Sequence, residues 1–479
     1  MVFNSFYFIF YCCGVIALYY LAKNRWRKII LTAASIIYFA SWSLQYLVLM
    51  LVTASMVFWI GVRIEKQDAQ NFKNRYLLFG ISLVFGQLYA FKYYNFSLET
   101  IWRIFNLPGA MPFWEIVAPV GILFYSLQMI AYLIDIYKSV QPAEKKYWDF
   151  ILFIFFFPQV LAGPIPRAKQ LLPQIRQKIH FDQEKAAHGF RLVLWGLFQK
   201  IVIADRLGMI VSKLFDSPSQ YQGATLMFVL YLYSAQIYCD FAGYSNIAIG
   251  IAKILGFDLI ENFNYPYLAK DLTEFWNRWH ISLSTWLRDY IFYPVMRWLR
   301  KRWKSKYALL QLALPPLISM FASGLWHGAK MNFVVWGLLH GIFLFLFAWS
   351  REVRTKIFSI EKWGKLGFLS EPVQIFITIN IVTLLWVFFR ADTVADAWMI
   401  LSKLMIFNKL NILENLDFIE GIFLVTTLII VEGMQLKGYN SSWLANRPLA
   451  LRWGIYYLVI ILILFFDTET ITGFIYAQF

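Results

Sequence analysis

The feature that most constrains this chain is a succession of apolar runs, each about long enough to cross a bilayer, which takes about 20 residues of helix. They fall near 3–22, 44–62, 76–91, 116–137, 224–254, 307–325, 332–349, 373–389, 421–436 and 453–467, with weaker candidates at 29–42, 150–162 and 191–211. Inside a bilayer every backbone N–H and C=O must be bonded within the protein, which leaves helices or closed barrels. Runs of this length without alternation read as helices. The expectation is therefore an all-α, polytopic membrane protein of about ten to thirteen transmembrane or partial helices. With 60% apolar and only 15% charged residues, there is too little polar side chain to cover a soluble core of 479 residues.

The net charge of +16 is concentrated in short loops between the apolar runs. That is the pattern of cytoplasmic loops, so nucleic acid is not an expected partner. Lys23–Lys28, Arg63–Arg75, Lys138–Lys146, Arg297–Lys306 and Arg351–Lys365 are assigned to the cytoplasm, and later Lys437, Arg447 and Arg452. The first run precedes its basic cluster, the reverse of a cleavable signal peptide, and reads as a retained helix. This count puts both termini outside the cytoplasm. No Gly- or Ser-rich linker interrupts the chain, so 1–479 reads as one membrane domain, with 468–479 as an extracytoplasmic tail. Cys12, Cys13 and Cys239 imply no disulfide framework.

Two stretches depart from simple spans. Residues 157–167, FPQVLAGPIPR, place three prolines and a glycine in an apolar run. They read either as a re-entrant loop lining a cavity or as the end of a helix at Pro158. Residues 261–294 mix charge with Trp and Tyr and read as amphipathic helices at the interface.

Nucleotide-binding, serine-hydrolase and zinc-protease motifs are absent, so an activated substrate must arrive already activated, and no metal site is expected. Of five histidines, His180 and His188 lie in a polar stretch, whereas His280, His327 and His340 lie in or beside the membrane. Ionisable groups there are costly and point to function. His327, in Ser323-Gly324-Leu325-Trp326-His327-Gly328, reads either as a general base or as an interhelical hydrogen-bonding residue. From spacing alone, His280 reads as an interfacial anchor and His340 as a packing residue. Asp135 and Asp240 read as paired structural charges.

Taken in order, several segments resemble the membrane-bound O-acyltransferase family, in particular its bacterial alginate and peptidoglycan O-acetyltransferase branch. They are Val2–Phe6, Phe157-Pro158-Gln159 with Ala162–Ile165, Tyr238–Ser245, Glu274–His280, Ser323–Gly328, Trp386–Ala391 and the terminal Phe474–Phe479. The resemblance implies a helical shell around a thin central region, with funnels from both faces meeting at the active site. It implies His327 as the catalytic histidine, His280 as a second important one, and substrate contacts at Asn277, Arg278, Trp326 and Tyr244. It further implies acetyl-CoA as a cytoplasmic acyl donor, no bound cofactor, and an acceptor across the bacterial inner membrane. The F-x-Y-x-x-F ending maps onto Phe474, Tyr476 and Phe479, with Tyr476 as an acyl relay. An extracytoplasmic SGNH-esterase-like transferase and a polysaccharide are the implied partners, beside membrane lipids. Asn246 departs from the branch, where an acid is more usual. Two other readings stay open: a non-enzymatic polysaccharide exporter, and an O-acyltransferase acting on a lipid or protein.

Overall fold

Most of the apolar runs fold as helices, although 116–137 is helical only from Ile122 and 150–162 only to Phe155. The computed structural model describes residues 5–467 except 110, 116, 162, 305, 359–363, 407–415 and 439–440. Among the described residues there are helices and turns and no strand. The helices are α1 (Phe6–Leu21), α2 (Asn24–Ala40), α3 (Leu44–Lys66), α4 (Gln70–Leu88), α5 (Tyr94–Phe105), α6 (Ile122–Tyr137), α7 (Tyr147–Phe155), α8 (Ala168–Arg176), α9 (Gln183–Leu197), α10 (Arg206–Asp216), α11 (Gly223–Ile254), α12 (Leu272–Arg278), α13 (Ile281–Leu287), α14 (Tyr293–Trp303), α15 (Ala308–His327), α16 (Met331–Trp349), α17 (Arg351–Ile357), α18 (Ser370–Arg390), α19 (Val394–Lys403), α20 (Leu416–Leu436), α21 (Ser441–Ala445) and α22 (Leu449–Phe466).

Six stretches, Leu44–Lys66, Gly223–Ile254, Ala308–His327, Met331–Trp349, Leu366–Arg390 and Leu449–Phe466, are long and apolar enough to span, and Tyr7–Leu21 and Ile122–Tyr137 are shorter apolar helices. The runs at 76–91 and 421–436 are helical without meeting that measure. The tail 468–479, including Phe474, Tyr476 and Phe479, lies outside the described residues.

The chain divides into two compact units, Met1–Trp195 with Tyr244–Ile260, and Gly196–Gly243 with Glu261–Phe479. In the first, α7 is only nine residues long. It stops at Phe155, and the proline-bearing segment continues as buried, irregular backbone, with Phe157, Gln159, Val160 and Ile165 all inaccessible. Gly121 makes this possible. Its φ of +78° is open to glycine, and a Cβ there would stand 2.5 Å from the Val160 carbonyl oxygen. Two buried carboxylates in this unit are paired: Lys28 Nζ lies 3.1 Å from Asp149, and Arg176 Nε donates to Glu144 at 2.9 Å.

In the second unit α15 and α16 form a tight hairpin. A Cβ on Gly324 would come 2.3 Å from the Phe333 carbonyl oxygen, and one on Gly337 equally close to that of Met320. Small residues at both positions let the backbones touch. Asn332 Nδ2 then donates to the carbonyls of Phe388 (3.2 Å) and Ala391 (2.7 Å), satisfying groups at the end of α18 that have no helical partner. This ties α18 to the start of α16. Buried charge is again clasped: Lys200 Nζ lies 2.7 Å from both Asp205 Oδ1 and Asp240 Oδ1. Asp240 is thus a paired charge, as its burial required.

Candidate active site

His327 is the last residue of α15 and is buried, at 3% exposure. Three aromatic rings enclose it. Trp326 lies 4.9 Å away between centroids, Trp336 and Phe389 each 5.1 Å, all edge-to-face. Trp336 comes from α16 and Phe389 from α18, so the glycine contact and the Asn332 clamp together position them. Trp336 also stacks on Trp386 at 5.8 Å.

His280 belongs to the same neighbourhood. It lies between α12 and α13 with φ +43°, a left-handed conformation uncommon for a residue with a Cβ. Its Nδ1 accepts the Leu283 backbone N–H at 3.3 Å, capping α13. An accepting Nδ1 bears the lone pair, so the proton of the neutral ring sits on Nε2, which is therefore a donor. The ring is fully buried, 5.6 Å from Trp326 and 4.6 Å from Phe241. Burial pushes its pKa down to about 3, which keeps it neutral at cellular pH. An interfacial anchor would be half in water; this histidine is not. The segment around it does form short helices, but Phe275, Trp276 and Trp279 turn their rings into the protein.

A cavity of about 720 Å³ is lined among others by Trp276, Asn277, Ile281, Arg288, Pro316 and Leu344; neither histidine lines it, and Ile281, which follows His280, is its nearest link to the pair in sequence. Its wall on α15 includes Pro316, and Pro315 precedes it. Neither proline has an N–H, so the carbonyls of Gln311 and Leu312 lose their helical bonds. On α16, Leu344, His340 and Trp336 recur every four residues and share one face. That face leads from the cavity to His327.

The residues singled out in the sequence are distributed as follows. His327, Trp326 and His280 come together. Asn277 is exposed in the cavity wall. Arg278 pairs with Glu274 through Nε at 3.0 Å and Nη2 at 2.6 Å. Tyr244 is buried in the first compact unit. Tyr476 falls outside the described residues. The sequence did not single out Trp276 and Trp336, whose local pattern is that of any aromatic-rich membrane helix.

A buried imidazole at a helix end and a second buried imidazole presenting an N–H meet around one indole, and groups of this kind can move protons and stabilise charge. A sequence model described as membrane-bound O-acyltransferase matches residues 138–389. The chain belongs to that family and is an acyltransferase. It is 34% identical over 403 residues to a probable alginate O-acetylase, AlgI, of Pseudomonas aeruginosa, covering 83% of this chain and 74% of the relative. It is 32% identical over 440 residues to the peptidoglycan O-acetyltransferase of Helicobacter pylori, covering 85% and 80%. A teichoic acid D-alanyltransferase of Bacillus subtilis is 28% identical over 278 residues, 56% of this chain and 66% of the relative.

Proposed function

We propose that this protein transfers acetyl groups from cytoplasmic acetyl-CoA to an extracytoplasmic polysaccharide of the alginate or peptidoglycan kind, across the bacterial inner membrane. The observation that carries the proposal is the meeting of His327 and His280 around Trp326, with a cavity of thioester-arm size whose wall includes Ile281, next to His280 in the chain, and Trp276. Arg288 at the cavity wall offers charge to phosphate groups of the donor.

His327 takes the proton from the attacking hydroxyl, for which Tyr476 in the terminal F-x-Y-x-x-F is the candidate. A phenol, with pKa about 10, needs such a base near neutral pH. The phenolic oxygen bonds to the acetyl carbon, the carbon–sulfur bond breaks, and the proton on His327 passes to the leaving thiolate. The N–H at His280 Nε2 stabilises negative charge on the carbonyl oxygen as it develops. The aryl acetate then passes its acetyl to a serine of an extracytoplasmic SGNH-esterase-like partner, which delivers it to the sugar hydroxyl.

The test is turnover of labelled acetyl-CoA by purified wild type, His327→Ala and Tyr476→Phe, with mass spectrometry of the C-terminal peptide. Acetyl on Tyr476 in the wild type, absent in His327→Ala, supports the relay. Full transfer by Tyr476→Phe removes the relay and leaves direct transfer to the acceptor.

A further inference from the structure

The acid–base assignment leaves one buried polar cluster unused. His340 is fully buried, with Trp336 4.8 Å and Trp276 5.1 Å away between ring centroids. Neither nitrogen of His340 has a hydrogen-bond partner among the described residues, and the same is true of the indole Nε1 of Trp276 and of Trp336. Buried polar atoms are nearly always bonded, and those that are not call for an explanation. Phenylalanine at these positions would fill similar space with no polar atom to satisfy.

The cluster lies between the cavity and His327. Trp276 lines the cavity. Leu344, one turn along α16 from His340, lines it too. On the other side, Trp336 carries the contact to His327. From Trp276 in the cavity wall, ring contacts run through His340 and Trp336 to His327, so these groups lie along the direct line between them.

Their chemistry selects what passes. A neutral imidazole offers one N–H and one lone pair, and each indole one N–H. Three donors and one acceptor therefore face a narrow, apolar surrounding. A hydrocarbon chain satisfies none of them. A secondary amide, with a carbonyl to accept and an N–H to donate, matches both kinds.

We propose that His340, Trp336 and Trp276 form a binding subsite for an amide in the arm of the acyl donor. This rests on the reading that a thioester donor approaches His327 through the cavity. In a pantetheine arm an amide nitrogen follows the sulfur after two methylenes, so a thioester held at His327 brings that amide beside the cluster. His340 acts here by positioning the donor, without touching the reacting atoms.

The test compares two small acetyl donors on the purified full-length protein, S-acetyl-N-acetylcysteamine, which has the amide, and S-ethyl thioacetate, which lacks it. Thiol release is measured for wild type, His340→Phe and Trp336→Phe, with thermal unfolding in detergent as the folding control. Wild type is expected to favour the amide donor in kcat/KM by about tenfold or more, because a site built to hydrogen-bond a group rejects its analogue lacking it. Both variants should lose most of that preference, chiefly through KM for the amide donor. A merely structural role would lower both donors in parallel and keep the ratio. An unchanged ratio in folded His340→Phe and Trp336→Phe, or no preference in the wild type, overturns the subsite while leaving the thioester reading intact. If wild type consumes neither of these donors nor acetyl-CoA, the thioester reading itself falls, and the subsite with it.

Discussion

His327 and Trp336 meet edge-to-face, their ring planes 88° apart and their centroids 5.1 Å apart. Phe389 closes on the same imidazole at 75°. The imidazole is thus confined by rings from two other helices, and its orientation is set by packing. Such preorganisation lets a base act without first being ordered.

Replacing His327 with alanine should lower acetyl-thioester turnover by about 10²–10⁴, the range expected for loss of general-base catalysis. Thiol release against the folded variant measures this. Turnover within about threefold of wild type would remove His327 from the base role.

The hairpin of α15 and α16 should be intolerant of added volume. Gly324→Ala places a methyl 2.3 Å from a backbone oxygen that cannot turn aside. A loss of about 1–3 kcal/mol is expected, as for other overpacked cores. Gly14→Ala, where nothing lies within 4 Å, is the matched control and should keep or raise the unfolding midpoint, since alanine is the better helix former. Equal behaviour of the two variants would contradict the packing described.

Lys200 holds two carboxylates, Asp205 and Asp240, at 2.7 Å each. Lys200→Met removes the cation and leaves Asp240 buried and Asp205 half-buried. About 3–5 kcal/mol of destabilisation is expected, the usual consequence of removing one member of a buried pair. Adding Asp240→Leu should recover part of the loss, which thermal unfolding of the single and double variants will read. A double variant worse by the sum of its parts would indicate that the pair is not coupled.

Acid should weaken the fold through His280. Its folded pKa, about 3, lies below the ordinary value of 6.5 because the ring is buried. The unfolded chain therefore binds a proton that the folded chain refuses. The contribution of this group is fully present above pH 6.5 and is lost as pH falls toward 3. The limiting slope is about 1.4 kcal/mol per pH unit. His280→Asn, a residue that tolerates positive φ, should remove this slope. Parallel stability profiles for wild type and variant between pH 7 and 5 would refute the assignment.

The helices were legible because each is encoded in one continuous run, as at Leu44–Lys66 or Met331–Trp349. His327 stood out because it sits in a local motif, between glycines and apolar runs, and its burial at the end of a helix agrees with a place inside the protein. What remained hidden is assembled from distant parts of the chain. Trp276, Pro316 and Leu344 meet in one cavity wall, and Trp336 is stacked by Trp386, with no shared spacing to announce either. His280 read as an interfacial anchor because Trp neighbours signal an interface equally well as a core. The rings of Trp276 and Trp279 resolve the ambiguity only once their partners are in place.

The touching backbones at Gly324 and Gly337 have a mechanical consequence. Two helices separated by side chains can slide by exchanging rotamers, but two in direct main-chain contact have no such slack. Axial travel or rotation of α15 against α16 would drive a carbonyl into an α-carbon. The hairpin that carries His327 therefore behaves as a fixed post. Any rearrangement around His327 must come from the elements packed on the hairpin, α18 and α14 among them, and not from sliding within it.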